Sequence, residues 1–305
     1  MNHIVEIENL TKDYEVGFWK KRKVRALDDL SLVVKPGQIF GFLGGNGAGK
    51  TTTIKILMTL LFPTSGTARI LGSDISDVSM HRRIGYCPEN PYFYDYLTAS
   101  ELMKYFGELL GLNSAERSRR SSELLTKVGL EEKDWNKQLR KYSKGMLQRV
   151  GLAQALINEP EIVFFDEPMS GLDPIGRREI RELIIELRQK GTTVFMSTHI
   201  LSDVEALCDE VAILRRGKLT ATGNLEELLS REGEQQIYEV SLANLSADQL
   251  SNGYSVRNTA SGVIVEVDDE SHIEKVLAEA RSVGGKLLSV QPVRQSLEEF
   301  FVEPT

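Results

Sequence analysis

The octet Gly44-Gly45-Asn46-Gly47-Ala48-Gly49-Lys50-Thr51 constrains this chain more than any other segment, because few arrangements of strand and helix can surround it. It fits the pattern Gly, four residues, Gly-Lys-Thr, and it follows an apolar run from Gln38 to Leu43 that reads as a strand. A helix is expected to begin near Lys50, since Thr51 to Leu61 places Ile54, Leu57, Met58 and Leu61 at helical spacing without Gly or Pro. In that order, strand, loop and helix make an anion cradle: backbone N–H groups turn inward and the positive end of the helix faces the phosphates. Gly44, Asn46, Gly47, Ala48, Gly49, Lys50, Thr51 and Thr52 are therefore the candidate phosphate-binding set. Lys50 is expected on the β and γ oxygens, and the Thr51 hydroxyl on Mg²⁺. Taken alone, the segment implies a nucleoside triphosphate site and nothing narrower.

A hard cation such as Mg²⁺ keeps several waters and takes one or two carboxylates. Ile162 to Phe165 supplies a buried apolar strand, and Asp166 follows it as the candidate metal carboxylate. Glu167 comes next, placed at the mouth of the site to orient or deprotonate an attacking water. His199 follows another buried strand, Thr193 to Ser197, so it too belongs at a strand's carboxyl end, where open α/β sheets bind ligands.

With these segments in this order, the chain resembles the nucleotide-binding subunit of an ATP-binding cassette (ABC) transporter over about residues 3 to 229. In that family the position of Tyr142-Ser143-Lys144-Gly145-Met146 is the signature loop, which binds the γ-phosphate of ATP held by the opposite subunit. Ser143 and Gly145 match the usual Leu-Ser-Gly-Gly-Gln; the other residues depart from it. A serine hydroxyl and a glycine N–H opening the helix expected over Met146 to Ile157 are what an anion requires. Ser143 also reads as an ordinary helix cap.

The resemblance implies further roles. Tyr14 corresponds to the aromatic that stacks on adenine, and Ser170-Gly171-Leu172-Asp173 to the loop bridging the two sites of a dimer. Glu89, in Tyr86-Cys87-Pro88-Glu89, stands where the family usually has a glutamine that contacts Mg²⁺ and the attacking water. A carboxylate about 5 Å from one phosphate charge is opposed by roughly 3 kcal/mol at an effective dielectric near 20, so Glu89 is expected to ligate or face the metal.

Length and composition fit this reading. A chain of 305 residues with 41% hydrophobic content can bury one large core and one small one. Its longest apolar runs fall short of the ~20 residues needed to cross a bilayer, and Met1 to Leu10 lacks the pattern of a signal peptide. Cys87 and Cys208 form no close pair, which suggests a reducing compartment and packing roles. The formal charge of −7 argues against a broad nucleic-acid surface. One basic cluster, Lys20, Lys21, Arg22, Lys23 and Arg25 preceded by Phe18 and Trp19, falls where a hairpin should turn between Val5–Leu10 and Val24–Val34. A solvated tip is the plainer reading, and contact with an anionic membrane surface, worth about 1 kcal/mol per basic residue, is the other.

From Pro91 onward the pattern turns helical, with Ser100 to Gly111 and Arg117 to Val128 both carrying apolar residues at intervals of three and four. In the family this stretch, about 90–158, is the helical subdomain. Tyr92, Phe93, Tyr94 and Tyr96 lie where a permease docks in relatives; they read equally as a seam between subdomains.

Beyond a polar linker at Arg231 to Gln236, strands are expected at Ile237–Leu242, Tyr254–Asn258, Val263–Val267 and Lys286–Val290. A short helix near Ala247–Leu250 and a longer one opening with a Ser271-x-x-Glu274 capping box interrupt them. Ser296-x-x-Glu299 is expected to cap a last helix with Leu297, Phe300 and Phe301. The order β-α-β-β-α-β is the split, ferredoxin-like arrangement.

The fold expected is therefore α/β: a P-loop ATPase core with an antiparallel β subdomain and a helical subdomain over residues 1–230, then a small α+β ferredoxin-like accessory domain over 231–305. The function implied is ATP binding and hydrolysis with Mg²⁺, in a homodimer that closes on ATP and drives a separate integral membrane permease, with export as the direction. Such a subunit is cytoplasmic and peripheral on the cytoplasmic face of the membrane. A soluble ABC ATPase acting on nucleic acid or ribosomes is the alternative; the cassette pairs, long coiled coils or basic faces of that class are not found in this sequence.

Overall fold

The computed structural model describes residues 3–17, 21–229, 237–250, 253–259 and 261–292. They fall into two compact units that divide at Leu225 and Glu226. The linker at Arg231–Gln236, the helix expected from Ser296, and Phe18, Trp19 and Lys20 of the basic cluster lie outside the described residues.

The larger unit is built on a six-stranded sheet. In chain order its strands are β3 (Ile39–Gly44), β6 (Ile84–Cys87), β7 (Ile162–Asp166), β8 (Thr193–Thr198), β9 (Glu210–Arg215) and β10 (Lys218–Asn224). Their spatial order is β10-β9-β3-β8-β7-β6, parallel except for the edge strand β10. Every residue of β3, β7 and β8 is buried, as expected of parallel strands covered on both faces. Side chains alternate between those faces. Phe40 and Phe42 of β3, Phe164 of β7 and Phe195 of β8 point to one side, with Phe195 5.2 to 5.4 Å from the other three ring centroids. That side is covered by helix α1 (Lys50–Leu57) and by a second, antiparallel sheet, whose strands β1 (Val5–Val16), β2 (Arg22–Val34), β4 (Ser65–Ile70) and β5 (Ser73–Asp74) lie in the order β2-β1-β4-β5. Against the other side pack α5 (Pro174–Gln189) and α6 (Leu201–Leu207).

Helix α1 stops at Leu57, a turn earlier than its apolar spacing predicts. Thr59 adopts a left-handed φ of 55°, and the N–H groups of Thr59 and Leu60 bond back to the carbonyls of Ile56 and Lys55. This is a Schellman stop with threonine in the usual glycine position, a terminus that hydrophobic periodicity does not register. The first hairpin is longer than its apolar cores indicate, because β1 and β2 continue as a ribbon to Val16 and Arg22. Within it Lys21 pairs with Glu15, and Arg25 with both Asp13 and Asp28, so acidic neighbours offset two of the basic residues.

The helical segment comprises α2 (Ala99–Leu109), α3 (Ser114–Lys127) and α4 (Lys144–Ala155). Thr98 and Glu101 form a reciprocal capping box at the start of α2, and Asn113 caps α3. Of the aromatics before α2, Tyr92, Tyr94 and Tyr96 are exposed, whereas Phe93 faces a groove with Met58, Leu60, Ile84 and Phe106.

The smaller unit has strands β11 (Tyr238–Ala243), β12 (Ser255–Thr259), β13 (Gly262–Val267) and β14 (Lys286–Pro292) in the antiparallel order β12-β13-β11-β14, with a helix at Glu270–Ser282. This is the split order read from the sequence, with the first helix reduced to a single 3₁₀ turn at Ala247–Gln249. The later helix is capped by Asp269, which accepts from the His272 N–H at 2.9 Å, rather than by Ser271. Ser271 instead donates its hydroxyl to the Asp269 carboxylate, so the capping box expected there does not form. Val240, Leu242, Val263, Val265 and Val276 make its small core.

Candidate functional site

The carboxyl ends of β3, β7 and β8 converge on one cavity of about 330 Å³. Its walls are Gly45 to Thr52 from the loop after β3, Glu89 after β6, Glu167 and Ser170 after β7, His199 after β8, and Ala26 from β2. A larger cavity of about 570 Å³ opens at the amino ends of the same strands, beside Pro36, Pro160 and Thr192, and carries none of the residues singled out above.

The loop is shaped for an anion. No side chain caps the N-terminus of α1; its cap residue, Gly49, has a φ of 114°, which leaves the first-turn N–H groups directed at the cavity mouth. A Cβ at Gly49 would lie 2.8 Å from the Ala26 carbonyl oxygen, so the close approach of β2 requires glycine as much as the backbone angle does. Lys50 is 7% exposed. Its ammonium donates to the Gly44 carbonyl at 2.6 Å and stands 3.4 Å from Glu167 Oε1.

Glu167 has both carboxylate oxygens engaged, since Oε2 lies 2.9 Å from His199 Nδ1. A carboxylate accepts, so Nδ1 carries the proton, on a ring that is half exposed. The Glu167 backbone is itself unusual, with a φ of 51°. Its N–H is shared between the carbonyl and the hydroxyl oxygens of Ser197, at 3.2 and 3.1 Å.

Asp166 is nearly fully buried, on the same side of β7 as Ile162 and Phe164. It sits beneath the cavity rather than among the residues facing it, and Ser197 donates to its Oδ1 at 2.5 Å. Ser197 is a site residue that motif reading passes over. A hydroxyl two residues before His199, inside a strand that is otherwise core, is the signal that could have drawn attention to it.

Besides Asp166, five of the residues predicted for the site do not line this cavity: Gly44, whose carbonyl accepts from Lys50, and Tyr14, Asp173, Ser143 and Gly145. Tyr14 lies on the exposed part of β1, with the Lys12 ammonium 5.3 Å from its ring centroid. Asp173 caps α5, accepting from the Gly176 N–H at 2.9 Å. Ser143 caps α4, its Oγ accepting from the Met146 N–H at 3.2 Å, and Gly145 lies in the first turn of that helix. A Cβ on Gly145 would come within 3.0 Å of the Gly171 carbonyl, so the two loops are in contact. Lys144 adds to that contact by donating to Ser170 Oγ at 3.1 Å.

Thr51 and Glu89 line the cavity and Asp166 ends β7; all three offer oxygen donors, the set a hard divalent cation takes, and a buried lysine at an uncapped helix end matches a polyphosphate. Among the described residues no helix is long and apolar enough to cross a membrane.

Comparison with known proteins agrees with this chemistry. The ABC transporter family profile matches residues 27–170. An uncharacterized ABC transporter ATP-binding protein of Synechocystis is 43% identical over 98% of this chain and 84% of its own length. The bacitracin transport ATP-binding protein BcrA of Enterococcus faecalis is 33% identical over 99% of this chain and 96% of its own. Among solved structures, the ATP-binding cassette MJ0796, a dimer in a post-hydrolysis state bound to ADP and phosphate, is 28% identical with a TM-score of 0.67, covering 72% of this chain and 98% of that one. A glycine loop with its lysine, a buried aspartate and a glutamate held by histidine thus occur in a chain whose relatives match it along nearly its whole length, and the chain belongs to the ATP-binding, ATP-hydrolysing subunits of ABC transporters.

Proposed function

We propose that two copies of this chain close head to tail on two ATP molecules, and that closure and reopening drive a separate membrane permease. The observation that carries the reading is that Ser143 and Gly145 do not line the cavity that holds Lys50, Glu167 and His199. One chain supplies the loop and the hydrolytic pair, and the signature residues, which do not line that cavity, serve a nucleotide on a second copy. The dimer of the cassette MJ0796 supports that arrangement. In this reading Lys50 exchanges Glu167 and the Gly44 carbonyl for the β and γ oxygens, and Glu167, held by His199, orients or deprotonates the attacking water. Thr51, Asp166 and Glu89 would hold Mg²⁺, which would supply charge neutralisation at the phosphates. Tyr14 stacks on adenine, and the Asp173 loop spans the two sites.

The transporter's membrane path comes from a partner, because no described helix could provide it. Exposed Tyr92, Tyr94 and Tyr96, with the groove at Phe93, are the proposed permease surface. Export is the direction favoured by the signature-loop variant and the C-terminal unit, and the bacitracin transport relative fits an exporter of drug or peptide type. Mixing tests the shared site. Neither a Lys50→Ala chain nor a Ser143→Arg chain should hydrolyse ATP alone, whereas an equimolar mixture should recover hydrolysis, since a mixed dimer keeps one intact site. No recovery on mixing would overturn the head-to-tail reading. Purification of the chain from membranes should bring down a multi-helix protein, and replacing Tyr92 and Tyr94 by Ala should release it.

A further inference from the structure

We propose that Ser197 is a positioning residue for the reaction: a single hydroxyl that fixes both the metal-facing carboxylate and the backbone of the hydrolytic glutamate. The inference rests on the proposed roles of Asp166 and Glu167. It follows from strand register. β7 and β8 are parallel neighbours, and Asp166 stands directly opposite Ser197, each closing a stripe of side chains whose inner members are Phe164 and Phe195. On that buried face a hydroxyl must find partners for both its donor and its acceptor capacity. Ser197 finds both within the site. Its proton goes to Asp166 Oδ1 at 2.5 Å, and its oxygen accepts from the Glu167 N–H at 3.1 Å.

Two consequences follow. The donated proton fixes the Asp166 carboxylate plane and occupies one oxygen, so Oδ2 is the oxygen free to serve a metal or its water. The accepted N–H, which the Ser197 carbonyl shares at 3.2 Å, helps hold Glu167 at its left-handed φ of 51°, a conformation unfavourable for a residue with a Cβ and maintained by its surroundings. That turn sends the Glu167 side chain back over the loop to Lys50 and His199. Alanine or valine at 197 would keep the strand and the carbonyl partner of the Glu167 N–H, and would lose the donation to Asp166 and the hydroxyl's share of that N–H.

The test compares Ser197→Thr with Ser197→Val, which share a shape and differ in the hydroxyl, alongside Ser197→Ala and Asp166→Asn. Binding of a fluorescent ATP analogue is measured in EDTA and across a Mg²⁺ titration, with urea unfolding in the absence of ligand as the check on folding. Loss of such an outer partner typically weakens metal affinity about 10-fold or more. Ser197→Val and Ser197→Ala are therefore expected to raise the Mg²⁺ concentration at half effect by about 10-fold, with binding in EDTA unchanged, and Ser197→Thr to stay within about twofold of wild type. If the two hydroxyl-free variants lose stability alone and keep the wild-type Mg²⁺ titration while Asp166→Asn does not, the hydroxyl is a structural filler and the proposal fails. If Asp166→Asn also keeps the wild-type titration, the metal assignment fails together with it. Should Ser197→Thr fail to fold, the Ala and Val titrations decide by themselves.

Discussion

Lys50 Nζ stands 3.4 Å from Glu167 Oε1, so the ammonium of the phosphate loop is paired with the carboxylate proposed to activate water. Both groups are buried, and a buried charge is costly unless it is paired. In the proposed reaction the pair balances the site until a phosphate takes over the lysine, which leaves Glu167 with His199 alone. That reading ties the release of Glu167 to the arrival of nucleotide.

Replacing Glu167 by Gln follows from this. The amide keeps the shape and the His199 contact but removes both the base and the charge that competes with phosphate for Lys50. Hydrolysis should fall by about 10²- to 10⁴-fold, the usual contribution of a positioned base. ATP affinity should be unchanged or higher, and size-exclusion chromatography with ATP should show a persistent dimer. Wild-type phosphate release from Glu167→Gln would remove Glu167 from the chemistry.

A second prediction concerns the support of the signature helix. A Cβ on Gly85 of β6 would lie 2.1 Å from the Ala155 carbonyl oxygen at the end of α4, and backbone cannot swing aside as a side chain can. Gly85→Ala should therefore cost about 1–3 kcal/mol, the range for overpacked cores, read as a lower urea midpoint. Because Ser143 caps α4, the same variant should lower ATP hydrolysis more than ATP binding. An unchanged midpoint would mean that the helix has slack against the sheet.

Much of this architecture was legible in the residues themselves. The glycine loop, the run ending at Asp166 and the run ending before His199 each carry local chemistry, and the central strands read as buried because their apolar residues are continuous. Ser197 was not legible, since its meaning comes from standing opposite Asp166, and parallel register between strands separated by a long helix is set by tertiary packing. The end of α1 was missed for a local reason: Thr59 at φ 55° does a glycine's work, and nothing in its composition announces it. Asp269 displaced Ser271 as a cap because a carboxylate two residues earlier reaches the His272 N–H.

The two cysteines should be chemically quiet. Burial pushes both thiols well above their ordinary pKa, and for Cys87 the nearby Asp166 carboxylate adds to the effect. Reaction requires the thiolate, so at pH 8 the folded protein is expected to take up iodoacetamide at neither position within an hour, and the urea-unfolded chain at both. Mass spectrometry reads the difference. Rapid labelling of Cys208 in the native protein would show that its packing against Gly41, where a Cβ would meet the sulfur at 2.7 Å, opens readily.

Glu89 presents a sharper electrostatic problem. It shares the cavity with Thr51 and Glu167, and its anion faces the place proposed for an anionic ligand. Without a cation between them, that repulsion opposes ATP; with Mg²⁺ present, the same carboxylate becomes an attractive partner for the metal. Glu89→Gln should therefore strengthen ATP binding without metal and weaken the response to Mg²⁺. In EDTA, ATP affinity should rise, by about fivefold if screening leaves some 1 kcal/mol of the Coulomb repulsion. In a Mg²⁺ titration the half-effect concentration should also rise, because one charged oxygen donor has been exchanged for a neutral one. A merely structural glutamate would shift the unfolding midpoint and leave both titrations alone. If ATP binding in EDTA and the Mg²⁺ requirement both match wild type, Glu89 has no part in holding the metal, and the departure from the family's glutamine carries no functional weight.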